Sequence, residues 1–421
     1  MDLRRRLVAS LAARLPFHYG WVILACVCAA GFSRQGSAVA TLSIFVEPMT
    51  AEFGWSRTAI SAAVSVGGVL GALVSPFLGP ILDRSGARAV LGAAVLVTGF
   101  SVIALGFTQS LAHFFVFYCL ARMSFTGPYD LGIYGSVVNW FYARRAFATS
   151  VVTLVHMVGL MAMPLIAHFV MQGADWRSAW LAVGVTVLVA GFLPTWLLHV
   201  RRPEDIGQKL EGAPEAAPGG GGSKSSTAEP AFTRAQALRT PAFWLLALYT
   251  LLVFPIQAGF SLHQAPLLIE RGLAPAVAAG AVSTFALFSA IAGLAYGFWP
   301  RRVPLRFGLG AAALTLAASS LAMASVSAPA HAFGAAALFG LGIGGLLTLV
   351  PIAWADYFGR ASYGAIRGVA LGVQIVGQAA GPVMSGALRD WTGDYGASLA
   401  AFGALALAGA AAALFARPPA K

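Results

Sequence analysis

The sequence predicts an all-α membrane protein with twelve transmembrane helices in two six-helix bundles. Composition is the first observation. The 421 residues are 58% hydrophobic and only 10% charged, with a mean hydropathy of +0.78. Soluble domains carry about 25% charged residues. Run length is the second. Apolar stretches that can cross a bilayer core, about 20 residues per helix, recur from Trp21 to Phe415, separated by short basic or Gly/Pro-rich loops. They lack the apolar/polar alternation of membrane-barrel strands. The third is a duplication within the chain.

The chain opens with MDLRRRLVASLAARLP, a basic stretch with no small-residue cleavage site after a short apolar core. Residues 1–17 are therefore expected to be a cytoplasmic amphipathic lead-in rather than a removable signal peptide. Spans are predicted over 18–43, 57–80, 88–108, 111–139, 146–170, 177–199, 242–266, 277–298, 306–326, 331–355, 367–388 and 396–416. Residues 200–241 are the one long polar segment. Within it EGAPEAAPGGGGSKSSTAEP (211–230) has the Gly/Ala/Pro/Ser composition of a disordered linker. The linker separates a first bundle (18–199) from a second (242–416), which ends in a cytoplasmic tail at 417–421.

The formal charge of +12 does not mark a nucleic-acid partner, because it follows the loops. With successive loops on alternate sides, one side receives only Arg57, Arg177, Arg271 and Arg389. Arg34 and Arg122 fall inside spans. All other Lys and Arg, Arg367 among them, fall on the side of both termini, which the positive-inside rule makes cytoplasmic. Cys26, Cys28 and Cys119 lie within spans without metal-site spacing or nearby ligands. No metal or cofactor is expected.

A shift of 218 residues superimposes the halves without a gap. Pro48, Glu52 and Gly54 fall on Pro266, Glu270 and Gly272. Gly79, Arg84 and Arg88 fall on Gly297, Arg302 and Arg306, and Gly159 and Pro164 fall on Gly377 and Pro382. Six spans per half give the copies the same orientation. Parallel repeats of this kind place a substrate path at their interface, near the midplane.

GPILDRSGAR (79–88), between spans 2 and 3, resembles the loop signature G-x-x-x-D-R-x-G-x-R of the major facilitator superfamily. The resemblance implies the major facilitator fold. It also implies that Gly79 permits close helix approach while Asp83, Arg84 and Arg88 form a charge cluster that latches one cytoplasmic conformation. The echo GFWPRRVPLR (297–306) has Arg301 in place of the acid. Further stretches resemble the monocarboxylate transporter and oxalate/formate exchanger branch: HYGW (18–21), FVEPMTAEFGWSRTAIS (45–61), WFYARRAFATSVV (140–152), DWR (175–177), YFGRASYGAIRG (357–368) and GPVMSGALRDWTGDY (381–395). They implicate small organic anions, often carried with a proton. One departure matters. Many members of that branch carry an aspartate and, four residues on, a carboxylate-binding arginine in span 8. Ser289 and Gly293 hold those places here.

That departure directs attention to the first half. An arginine in mid-bilayer costs at least ~3 kcal/mol on insertion scales, and its guanidinium fork matches both oxygens of a carboxylate. Arg34 lies in AAGFSRQGSAVA, where Gly31, Ser33, Gln35, Gly36 and Ser37 favour a loosened, hydrated helix. Three roles are open to it: substrate contact, snorkelling to the outer interface, or a structural ion pair. Arg122 in span 4 is open to substrate contact, to proton coupling, or to pairing with a neighbouring helix. Asp130 is the only carboxylate well inside a span. It is eight residues past Arg122, too far for a direct pair along an ideal helix, and Pro128 between them is expected to kink the span. Asp130 is open to two roles: proton carrier, or neutraliser of a cytoplasmic-side arginine such as Arg144.

His156 in span 5 and His263 in span 7 are open to a neutral structural hydrogen bond or a proton relay. Gln257, Gln264, Gln374 and Gln378 are the few polar side chains in or near the spans of the second half. That half is expected to bring no cation into its spans and to bind through hydrogen bonds and shape, with Gln257, Gln374, Tyr296 or Trp354. With Gln35 these complete the expected substrate-binding set. No Walker loop, H-E-x-x-H or G-x-S-x-G occurs, so neither ATP-driven transport nor catalysis is expected.

The reading is a monomeric secondary transporter of a small organic anion, such as lactate, pyruvate or formate, coupled to a proton or counter-anion. An exporter of amphipathic drugs or other organic solutes with the same fold is the alternative. A non-transporting membrane sensor or assembly subunit is the second alternative, and would call for an extra soluble domain.

Overall fold

The structure, a computed structural model, describes residues 3–213, 230–299 and 302–419. It is helical almost throughout. Ten helical stretches among the described residues are long and apolar enough to cross a membrane. These are span 1 (Gly20–Phe53), span 2 (Ala59–Ser85), span 3 (Ala87–Leu105), span 5 (Arg145–Gly173), span 6 (Trp176–Leu198), span 7 (Pro241–Glu270), span 8 (Pro275–Gly297), span 9 (Leu305–Ala324), span 10 (Pro329–Phe358) and span 12 (Gly396–Phe415). Span 4, in two pieces (Leu111–Thr126 and Pro128–Trp140), and span 11 (Tyr363–Thr392) complete the twelve. A helix over Leu3–Arg14 precedes them.

Span 6 passes through a π turn at Leu188–Phe192, and spans 1 and 4 are interrupted at glycine- or proline-containing stretches. Span 1 is α-helical over Gly20–Arg34, tightens to a 3-10 turn at Gln35–Ser37 and resumes at Val39–Phe53. Gly36 and Ser37 contribute little helix propensity. Carbonyls freed by such a break need new donors in a membrane. The Thr41 hydroxyl donates to the Gln35 carbonyl at 2.7 Å and the Tyr118 hydroxyl to the Ser37 carbonyl at 3.3 Å. Span 4 breaks at Gly127, where Pro128 begins a new helix because it has no N–H to offer the preceding turn. The break puts Asp130 in the first turn of the second piece, at the positive end of its dipole.

The chain around His18 and Pro418, the described part of the linker and the described basic loops gather at one end of the molecule, here termed the basic end. His18 bonds the Lys209 carbonyl there, and Pro418 shares a cavity wall with Trp21 and Arg144. Residues 214–229 of the expected linker lie outside the described residues. Glu211 is already ordered. Its carbonyl accepts from the Tyr142 N–H, and its own N–H donates to the Trp140 carbonyl.

The two bundles meet at the basic end. Span 2 packs on span 11 so closely that a side chain at Gly79 would run into the Gly364 carbonyl, and one at Gly368 into the Ser75 carbonyl. Span 8 packs on span 5, with Gly297 against Ser150 and Phe147. The ion pairs of the opposite end stay within one bundle. Arg177 holds both carboxylate oxygens of Glu52 at 2.5 and 2.7 Å in the first, and Arg389 approaches Glu270 at 3.4 Å in the second. The structure is therefore closed between the bundles at the basic end.

Candidate functional site

Arg34 ends the first helical piece of span 1, midway along it, and Arg122 lies one turn before the break in span 4. Their guanidinium carbons stand 4.1 and 4.3 Å from the centroid of one ring, Phe125. The two cations therefore lie no farther apart than the sum of these distances. Both are half-buried. Among the described residues neither guanidinium has a carboxylate in ion-pair range, and the Nε of each is buried without a hydrogen-bond partner. Gly67 on span 2 makes room for the Arg122 stem, and Gly31 makes room for His156 one turn before Arg34. Two adjacent cations in the bundle interior, with no acid in ion-pair range among the described residues, lose water without a direct counter-charge.

A second charged cluster joins the bundles. Asp130 accepts from Arg367 Nη2 at 3.1 Å, and the same Nη2 donates to Gln374 Oε1 at 2.8 Å. Asp130 is 7% and Arg367 1% exposed. Arg367 lies in the second turn of span 11, and its Nε and Nη1 are buried without partners. This corrects one expectation: the second half does bring a cation into its spans. The arginine that meets Asp130 is Arg367, which sequence reasoning places on the cytoplasmic side with Arg144. Arg144 points to Glu211 at 3.7 Å instead.

Asp83 reaches across the same interface. Its oxygens accept from the Gly364 and Ala365 N–H groups at 2.8 Å each. Span 11 has no side-chain cap of its own, so an aspartate from the first bundle caps a helix of the second. Arg201 donates to the Asp83 carbonyl. The expected charge cluster is smaller than predicted: Arg84 is exposed, and Arg88 stacks on Trp196 at 4.7 Å within the first bundle. Two further pairs cross the bundles. Arg145 meets Asp356 at 2.8 Å, and Arg360 bonds the Asn139 carbonyl at 3.2 Å and, in the linker, Glu204 at 2.6 Å.

The family model of the Major Facilitator Superfamily matches residues 23–329. The chain belongs to the Major Facilitator Superfamily. This facilitator is similar to several curated proteins. It is 26% identical to the Monocarboxylate transporter 11 of Mus musculus over 93% of the chain and 86% of that protein. It is 26% identical to the probable nitrate/nitrite transporter NarK2 of Mycobacterium tuberculosis over 77% of each. It is 28% identical to the membrane sensor protein UhpC of Salmonella typhimurium, where the match spans only 45% of the chain and 43% of that protein. Its fold resembles that of FucP in the outward conformation, with a TM-score of 0.70 and 12% identity over 95% of this chain and all of that one.

The other predicted residues of the facilitator are dispersed. His156 is buried against Gly31 with its Nε2 unpartnered, one helical turn from Arg34. Gln35 is buried beside Gly159 of span 5. His263 is a clasp within the second bundle: Nε2 donates to the Pro382 carbonyl at 3.2 Å, and Nδ1 accepts from the Tyr395 hydroxyl at 3.1 Å. Gln257 accepts from Gln378 at 2.9 Å. Tyr296 stacks on Trp299 and packs against Gly345, so it serves the packing of the second bundle and has no contact with either arginine among the described residues. Trp354 packs against Phe243 and Phe358. Ser289 and Gly293 of span 8 let span 10 approach closely: a side chain at Gly344 would run into the Ser289 carbonyl and the Gly293 N–H.

Two contributors escaped sequence reasoning. Phe125 was indistinguishable from lipid-facing phenylalanines. Arg367 was absorbed into the count of loop arginines. A usable signal existed: Arg367 and Gln374 are seven residues apart on one helix face, and Asp130 required a cation. A separate cavity of about 560 Å³ opens at the basic end, between Trp21, Arg144 and Phe147 of one bundle and Phe298, Trp299 and Asp356 of the other. Its lining includes neither Arg34 nor Arg122.

Proposed function

We propose that this facilitator is a secondary transporter of a small organic anion, a monocarboxylate such as lactate, pyruvate or formate, working by alternating access and coupled to a proton or counter-anion. The observation that carries the reading is the Arg34–Phe125–Arg122 cluster: two half-buried cations with no carboxylate of their own. Occluding such a site strips water from both charges at a cost of several kcal/mol. An anion bound between them offsets that cost, so closure around a loaded site is favoured over closure around an empty one. Likeness over most of the chain to a monocarboxylate transporter and a probable nitrate/nitrite transporter supports an anionic substrate.

In this reading the basic end is cytoplasmic. The protein is a multi-pass, monomeric component of the cytoplasmic membrane with both termini inside, and it makes or breaks no covalent bond in its cargo. The structure then corresponds to the cytoplasm-closed state, with Gly79 and Asp83 in its gate.

The test is uptake of labelled lactate, pyruvate, formate and nitrate into proteoliposomes, with and without a pH gradient, by wild type, Arg34→Gln and Arg122→Gln. Uptake of at least one anion by wild type, lost in the variants, supports the reading. No anion uptake, or equal uptake by both variants, overturns it. The partial likeness to a membrane sensor favours one second reading, binding without transport, which the same assay separates if anions bind but do not cross.

A further inference from the structure

The cavity of about 560 Å³ at the basic end takes no part in the anion cluster, since its lining includes neither Arg34 nor Arg122. It lies on the face where span 8 meets span 5, whereas Gly79 and Asp83 hold the face where span 2 meets span 11. Its volume is that of sites enclosing drug-sized molecules, about 300–1,000 Å³, and far exceeds what a three-carbon acid fills. Both bundles build its walls. Trp21 and Phe147 of the first face Phe298 and Trp299 of the second, and the Phe147 and Phe298 rings approach to 5.4 Å between centroids.

Each bundle also brings a cation. Arg144 of the first lines the cavity with its side chain 64% exposed. Among the described residues its guanidinium makes no hydrogen bond, and Glu211 stands off at 3.7 Å. Arg306 of the second follows the wall residue Leu305, acts electrostatically on the wall residue Tyr357, and has its Nε buried without a partner. The remaining charges in the wall, Arg145 and Asp356, are bonded to each other at 2.8 Å and largely cancel. An anionic group in the cavity is therefore attracted from both bundles. Around it stand apolar rings: Phe298 is 70% exposed, and Phe307, whose ring centroid lies 5.0 Å from the Arg306 guanidinium, is 45% exposed. The ligand that satisfies cations and rings together has an anionic head and an apolar tail.

We propose that this cavity seats the headgroup phosphate of an anionic phospholipid from the leaflet at the basic end, and that the seated lipid favours the closed arrangement of the bundles. Basic pockets between membrane-spanning helices are receptors for such headgroups. A soluble phosphate would satisfy Arg144 and Arg306 but leave Phe298 and Phe307 uncovered, which selects lipid as the source. Trp21, Phe147 and Arg144 come from one bundle and Phe298, Trp299 and Arg306 from the other, so the site is complete only while the basic end is closed. A ligand that binds one of two conformations better shifts the population toward it. The site uses no residue of the Arg34–Phe125–Arg122 cluster, so it stands whatever the cargo is.

The test compares nanodiscs of phosphatidylcholine alone, of phosphatidylcholine with phosphatidylglycerol, and of phosphatidylcholine with inorganic phosphate in the buffer. The full chain, with Cys26, Cys28 and Cys119 replaced by alanine, carries one of two reporters. Val303→Cys, at an exposed position on the cavity wall, reads alkylation. Spin labels at Ser85→Cys and Ala361→Cys, exposed on opposite bundles, read distance. Phosphatidylglycerol is expected to protect Val303→Cys and to enlarge the short-distance population, and phosphatidylcholine alone and inorganic phosphate to do neither. Arg144→Gln and Arg306→Gln are each expected to raise the phosphatidylglycerol content needed for half-protection about five-fold, the worth of one basic residue at an anionic surface. Arg144→Lys is expected to keep the wild-type value. Arg144 is exposed, so Arg144→Gln carries the test if Arg306→Gln does not fold. Equal protection in phosphatidylcholine, protection by inorganic phosphate, protection undiminished in the arginine variants, or a short-distance population that ignores lipid overturns the proposal.

Discussion

The Asp130 carboxylate accepts a hydrogen bond from the Arg367 guanidinium at 3.1 Å, across the interface between the two bundles. Each partner leaves the other uncompensated if removed, and an orphaned buried charge costs about 3–5 kcal/mol. Arg367→Gln is therefore expected to lower thermal stability in detergent by that amount. The Asp130→Asn/Arg367→Gln double variant is expected to recover most of it. A double variant less stable than both single variants would contradict this account of the pair.

Arg34 and Arg122 are expected to behave in the opposite way. Neither has a carboxylate to orphan among the described residues, so Arg34→Gln and Arg122→Gln remove a desolvation cost without creating a new one. Melting curves of the purified, anion-free variants are expected to match or exceed wild type. A fall of several kcal/mol in either would show that the cation holds the fold together.

Closure at the basic end depends on Gly79, which faces the Gly364 carbonyl with no space for a side chain. Gly79→Val is expected to prop spans 2 and 11 apart. Asp83→Ala removes a cap, worth about 0.5–2 kcal/mol, only from the closed state. Alkylation of a cysteine at Ser75, which is buried where span 2 meets Gly368 in the closed state, is expected to be faster in both variants, by up to about thirty-fold for Asp83→Ala. Unchanged alkylation rates would remove Asp83 from the gate.

Glu204 in the linker provides a pH control. Burial raises its carboxyl group, but the hydrogen bond and charge of Arg360, together with its own backbone N–H, more than offset that and leave it below the usual glutamate range. With a lowered value in the folded state, its contribution is fully present above the ordinary glutamate pKa. It is lost only as pH falls through the lowered value. Glu204→Gln is therefore expected to leave the pH profile of transport between about pH 5 and 8 unchanged. A profile that flattens in this variant would place a pH-sensing group in the linker.

The sequence carried depth well and direction poorly. Apolar length sets where each span crosses, and Gly36 and Pro128 marked the breaks of spans 1 and 4, because backbone propensity is a local property. Arg34 and Arg122 were legible because a charge in mid-span has no ordinary explanation. Arg367 was not, because it stands at a helix end, where arginines serve orientation. Tyr296 and His263 lie at plausible heights in their spans, yet they face the interior of the second bundle. A single chain reports height in the membrane, whereas the facing side follows from how neighbouring helices pack. Arg88 was grouped with Asp83 by the loop signature, but the nearby Trp196 ring holds it within its own bundle.

The central claim is that Arg34 and Arg122 jointly bind an anion. Equilibrium binding of labelled lactate, pyruvate, formate and nitrate to purified protein tests it most directly, comparing wild type with Arg34→Gln, Arg122→Gln and the double variant. A hydrogen bond to a charged group contributes about 1.5–3 kcal/mol, or roughly 10- to 150-fold in affinity. The account predicts saturable binding to wild type, a loss of that size in each single variant, and no measurable binding to the double variant. Binding to the double variant with wild-type affinity would contradict it.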